Sequence, residues 1–74
     1  MERRFAERYR LLALNIAYYR KVNGLSQMEL AEKVDISRTH MSRIENGDSA
    51  VSLDTIFSIS EALQVPVDKL FSVK

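Results

Sequence analysis

The chain has 74 residues, no cysteine, one histidine (His40) and a formal net charge of +1. That length allows one domain (residues 1–74) with a modest core, near the lower limit for a self-sufficient fold. The absent thiols exclude a disulfide framework and a Cys/His zinc site, and no apolar run approaches the roughly 18 residues of a membrane span. No apolar stretch follows the charged residues 1–5 as it would in a signal peptide. A cytoplasmic protein with no membrane partner, no metal and no cofactor is expected. Charge is unevenly spread: residues 1–50 carry nine Arg/Lys against seven Asp/Glu, and residues 51–74 carry two against three. So weak a basic balance is poor support for nucleic acid, and any such binding must come from a local face.

In chain order, Phe5, Tyr9, Leu12, Ile16 and Tyr19 recur in steps of four and three. This is the stripe of an amphipathic helix over residues 3–23, closed by Asn23-Gly24, where glycine can adopt the left-handed conformation. Ser26-Gln27-Met28-Glu29 is a capping box, with Leu25 placed to staple onto Leu30. It opens a short second helix over residues 27–34. Asp35-Ile36 makes the break and Ser37 is a second N-cap. A third helix follows, with Met41 and Ile44 as its core face and an end at Asn46-Gly47. Ser52 caps a fourth helix whose core face is expected to use Leu53, Ile56, Phe57, Ile59, Ser60 and Leu63. Pro66 starts a last short turn carrying Val67, Leu70 and Phe71. The pattern predicts an all-α fold of five helices joined by tight loops.

The second and third helices, joined by a few residues with the small Ala31 at their crossing, have the helix-turn-helix layout, whose second helix fits the DNA major groove. At about 100° per residue, with Arg38 at zero, Ser42 falls near 40°, Asn46 near 80°, Thr39 near 100° and Arg43 near 140°. Met41 and Ile44 fall on the opposite side. Any solvated helix turns polar residues outward, but this face holds two arginines and no acid in a chain where acids are common. Arginine can donate a bidentate pair to guanine, and threonine can meet a base hydroxyl-first or through its methyl.

From Leu12 to Phe71 the chain resembles the phage-repressor-type (Xre-like) helix-turn-helix family. The resemblance is densest in the runs Leu25-Ser26-Gln27-Met28-Glu29-Leu30-Ala31-Glu32-Lys33-Val34 and Ile36-Ser37-Arg38-Thr39-His40-Met41-Ser42-Arg43-Ile44-Glu45-Asn46-Gly47. The short run Arg38-Thr39-His40-Met41-Ser42 further resembles controller proteins of restriction–modification systems. The resemblance implies a compact five-helix repressor-like domain that binds operator DNA as a homodimer. By position it implies base contacts from Arg38, Thr39, Ser42 and Arg43, and backbone contacts from Gln27, Ser37, His40 and Asn46. It also implies a structural pair between Arg20 and Glu45. Two departures are present: Asp35 stands where the family often has glycine, and Asp48 stands where it often has a basic residue that would attract phosphate.

Residues 1–11 precede the family core. They are either a plain lengthening of the first helix, a subunit contact or an arm for the DNA backbone. The apolar cluster Val67, Leu70 and Phe71 at the other end is expected to be the dimer contact. His40 lacks neighbours for a metal site, and no nucleophile–base or paired-carboxylate arrangement suggests an enzyme. The expected activity is sequence-specific binding of double-stranded DNA by a dimeric transcriptional regulator, a repressor or autoregulator. The alternative is a protein-interaction module that holds a toxin, antirepressor or other regulator and binds DNA weakly.

Overall fold

Three serines set where helices begin. In a computed structural model that describes residues 3–73, each of Ser26, Ser37 and Ser52 has extended backbone. Their hydroxyl oxygens accept from the backbone N–H of Glu29, His40 and Thr55 respectively. Each cap satisfies a donor that the first helical turn cannot bond internally. The helices they open are α2 (Gln27–Lys33), α3 (Arg38–Glu45) and α4 (Leu53–Leu63), preceded by α1 (Ala6–Val22). The Ser26 box is reciprocal, since its own N–H donates to Glu29 Oε1 at 2.8 Å.

The described residues contain four α-helices and no strand, not the five helices expected. The fifth element, Val67–Phe71, is a 3₁₀ helix. The reason is local: Lys69 N–H bonds back only three residues, to Pro66 O. The Leu70 carbonyl accepts from the side chain of Asn15 at 3.0 Å, as the Ser72 carbonyl does at 2.8 Å. A five-residue segment has too few turns to hold α geometry alone. Burial of Leu70 holds it in place, and a fully buried leucine is worth about 1.5–3 kcal/mol. A second 3₁₀ turn, Arg3–Phe5, precedes α1.

One core forms where α1, α2, α3 and α4 converge, around Ile16, Leu30, Met41, Ile59 and Leu63. The α1 stripe narrows relative to expectation. Leu12, Ala13, Asn15 and Ile16 are buried, Tyr9 and Tyr19 are half-buried, and Phe5 is exposed. In α4, Ile56, Ile59, Ser60 and Leu63 are buried, but Leu53 and Phe57 are exposed. Those two side chains lie about 60° and 100° around the helix from Ile56, on the flank away from Ile59, and so miss the core.

The turns use left-handed backbone where sequence chemistry tolerates it and once where it does not. Gly24 and Gly47 have φ of 71° and 75°, and Asp35, in the turn between α2 and α3, has φ of 60°. Aspartate accepts that conformation more readily than most residues. Gln64 at the end of α4 adopts φ of 59°, and its residue type gives no warning of it.

Candidate nucleic-acid interface

The α2–turn–α3 unit begins with the Ser26 box and turns at Asp35, where Ile36 N–H donates to Ala31 O at 3.0 Å. Ala31 is buried at the crossing and lets the two helices approach. Met41 and Ile44 are almost fully buried. Their burial fixes the rotation of α3 about its axis and turns the opposite side outward. Arg38, Thr39, Arg43 and Asn46 are exposed there, Ser42 is half-buried between them, and His40 is half-buried at the edge. Arg38, Thr39, Ser42 and Arg43 therefore share one face with no acidic side chain among them. Ser37 uses its oxygen to cap His40 N–H at 3.0 Å, which leaves its hydroxyl hydrogen available to a phosphate.

Behind that face lies a charged clasp. Arg20 Nε donates to Glu45 Oε2 at 2.7 Å and its Nη2 donates to Glu45 Oε1 at 3.1 Å, while its Nη1 donates to the Leu25 carbonyl at 2.7 Å. The Glu45 side chain is 4% exposed and that of Arg20 11%. The planar guanidinium fork suits this bidentate geometry. Gln27, named from sequence for a phosphate, is half-buried, and its Nε2 donates to Glu45 Oε1 at 3.1 Å. Its second N–H stays available. The start of α2 and the last turn of α3 thus share one carboxylate with the end of α1. The sequence signal for this bond was slight: Gln27 and Glu45 are eighteen residues apart, and only the crossing of the two helices brings them together.

Glu29 is the group whose acidity the fold visibly changes. Its carboxyl is held below the ordinary 4.5, first by the backbone N–H of Ser26 and then by the Ser26 side chain, with Lys33 adding a smaller attraction.

The expected dimer residues are split by the fold. Leu70 is completely buried in the core of its own chain and cannot meet a partner. It sits there because Asn15 draws the 3₁₀ segment against α1. Val67 is half-buried, packed on the core, and Phe71 is 49% exposed. Phe71 lines an apolar groove together with Phe5, Tyr9, Val51 and Leu53, and this grouping of opposite chain ends is not evident from sequence. Asn15 itself was overlooked. A polar residue set between Leu12 and Ile16 on a buried face is the trace it leaves in the sequence.

Comparison with known proteins agrees with this geometry. The family model described as Helix-turn-helix matches residues 16–70. Control protein C.SmaI of Serratia marcescens is 37% identical over 62 residues, spanning 84% of this chain and 74% of that protein. Antitoxin PezA of Streptococcus pneumoniae is 42% identical over 55 residues, which are 74% of this chain but only 35% of the antitoxin. Among solved structures, the restriction-modification controller protein C.AhdI of Aeromonas hydrophila superposes with a TM-score of 0.87 at 26% identity. That match covers 92% of this chain and 99% of the controller.

Proposed function

We propose that this chain, which belongs to the helix-turn-helix family of DNA-binding transcription regulators, binds a double-stranded operator as a homodimer with α3 in the major groove. The observation that carries this reading is the outer face of α3. Met41 and Ile44 are turned into the core, and Arg38, Thr39, Ser42 and Arg43 are left together on an acid-free surface. Those four side chains read base edges. Arg38 and Arg43 supply the guanidinium forks that suit guanine O6 and N7. Gln27, Ser37, His40 and Asn46 lie at the margins and hold the sugar–phosphate backbone, which sets register without reading sequence. Arg20 and Glu45 act structurally, locking α3 to α1. The similarity to two controller proteins supports a role in repression or autoregulation.

Dimerisation draws on Phe71 and the groove it shares with Phe5 and Leu53. A twofold contact there sets two copies of α3 about 34 Å apart, one turn of DNA. Sedimentation of a Phe71→Asp variant should give a monomer; a dimer as stable as the parent would move the interface elsewhere.

Fluorescence anisotropy on the DNA upstream of the protein's own reading frame tests the main reading. Arg38→Ala and Arg43→Ala should each weaken specific binding by about 1–3 kcal/mol, and unchanged affinity in both refutes the assignment of α3. The second reading, a module that holds another protein, is favoured by the similarity to an antitoxin and by Asp48 beside the proposed DNA edge. It predicts weak DNA binding that neither arginine variant alters.

A further inference from the structure

Gly47 follows the C-cap of α3 in left-handed backbone and lies flat against α1. A Cβ added to it would stand 3.5 Å from the Arg10 Cα. Around this contact Ala6, Arg10, Ala13, Glu45, Asn46 and Gly47 line a shallow cleft. Ala6 and Ala13, one turn to either side of Arg10, keep it open. Arg10 therefore leaves α1 at the C-terminal end of the DNA-reading face, beside Asn46, although it belongs to a stretch of chain that precedes the family match.

Three further facts bear on what Arg10 does there. Residues 46–52, which connect α3 to α4, contain Asp48 and no lysine or arginine. The margin of the face is therefore acidic at the point where a duplex would pass. Secondly, the Arg10 side chain is exposed and makes no hydrogen bond or ion pair among the described residues. Its neighbours on the same stretch are engaged otherwise: the guanidinium carbons of Arg4 and Arg8 lie 5.3 and 5.4 Å from the centre of the Phe5 ring. Thirdly, the carbonyls of Ser42, Arg43 and Ile44 in the last turn of α3 are already satisfied. Asn46, Gly47 and Asp48 donate their N–H groups to Ser42, Ile44 and Arg43. A role for Arg10 as their hydrogen-bonding cap is therefore superfluous.

We propose that Arg10 is a phosphate-binding residue. From α1 it supplies to the DNA backbone at the C-terminal edge of α3 the cation that the following loop lacks. The proposal rests on the reading of α3 as the DNA-reading helix and adds a contact from outside the helix-turn-helix unit. Such a contact is ionic and indifferent to sequence.

The test is an anisotropy titration of the full chain on its operator and on a random duplex over a range of salt concentrations. Wild type is compared with Arg10→Gln, Arg10→Lys and Arg38→Ala. Glutamine keeps the aliphatic start of the stem and replaces the charged guanidinium by a shorter, neutral amide, and thermal melts confirm that each variant is folded. Arg10→Gln should weaken binding severalfold and about equally on both duplexes. It should lower the salt slope by about one per protomer, whereas Arg10→Lys should keep most of the slope. An unmoved slope in folded Arg10→Gln overturns the proposal, as does a loss confined to the operator. If wild type binds duplex and Arg38→Ala weakens it, either outcome removes Arg10 alone. If Arg38→Ala and Arg43→Ala both bind as wild type does, the reading of α3 falls and this proposal falls with it.

Discussion

Replacing Arg20 by alanine opens the buried clasp between α1, α2 and α3. The Glu45 carboxylate, 4% exposed, would lose two of its three side-chain donors and keep only Gln27 Nε2. The Leu25 carbonyl would also lose its guanidinium partner. Stranding a buried charge in this way costs about 3–5 kcal/mol. At roughly 0.05–0.15 kcal/mol per residue, a chain this short has a total stability of about 4–11 kcal/mol. Arg20→Ala should therefore remove about a quarter or more of the stability. In urea, with a slope of about 1 kcal/mol per molar for a small protein, the midpoint followed by circular dichroism should fall by about 3 M or vanish. The double variant Arg20→Met/Glu45→Leu should recover most of the loss, because paired apolar side chains leave nothing unsatisfied. A loss below about 1 kcal/mol in Arg20→Ala refutes this account, as does a double variant as unstable as the sum of its singles.

Other consequences can be checked with the same melts. Asn15→Ala leaves the Leu70 and Ser72 carbonyls without their side-chain donor and should cost about 1–3 kcal/mol. Faster amide exchange confined to residues 67–73 would identify the segment released, and unchanged exchange there would count against the tether. Gln64→Gly relieves left-handed backbone at the end of α4 and should raise stability by about 0.5–1 kcal/mol; a drop would mean that the glutamine side chain holds the turn. Glu29 titrates below its ordinary 4.5 in the folded chain, so its contribution is complete above that value and disappears as pH falls through the lower folded one. Ser26→Ala removes the hydroxyl but keeps the backbone N–H that is the larger cause, so the NMR midpoint of Glu29 should rise only part of the way towards 4.5; a full return to 4.5 would mean that the backbone bond does not hold it down.

Much of the fold is legible because its signals are local. Serine N-caps, glycine after a helix, and apolar steps of three and four place α2, α3 and α4 within a residue or two, whereas α1 starts three residues later than expected because Arg3–Phe5 is a 3₁₀ turn. What is not legible depends on where a helix stands relative to its neighbours. Leu53 and Phe57 have the hydrophobicity of core residues, but the core presented to α4 is narrower than its apolar arc. The last segment shows the same limit. Val67, Leu70 and Phe71 look like one cluster in sequence, yet the fold puts Leu70 inside and Phe71 outside, because a buried amide fifty-five residues away draws the chain in between them. The outward turn of Arg38, Thr39, Ser42 and Arg43 follows from helical angles, but the same angles put Glu45 about 20° from Arg38, and only its pairing with Arg20 takes that acid off the face. The Gln27 bond to Glu45 and the seat of Arg10 beside Gly47 both require the crossing of helices, which no spacing encodes.

The amide of Asn15 also bears on how the exposed end of the molecule behaves before anything touches it. Phe71 lies between two residues, Leu70 and Ser72, whose carbonyls are both held by that amide. Its backbone is thus clamped on either side to the middle of α1, and the ring starts from a fixed platform instead of a fraying tail. A surface held in its docked shape in advance loses little conformational freedom on association, so more of its contact area is realised as affinity. For a chain this small, a single buried amide can thus raise the affinity of an encounter that it never touches.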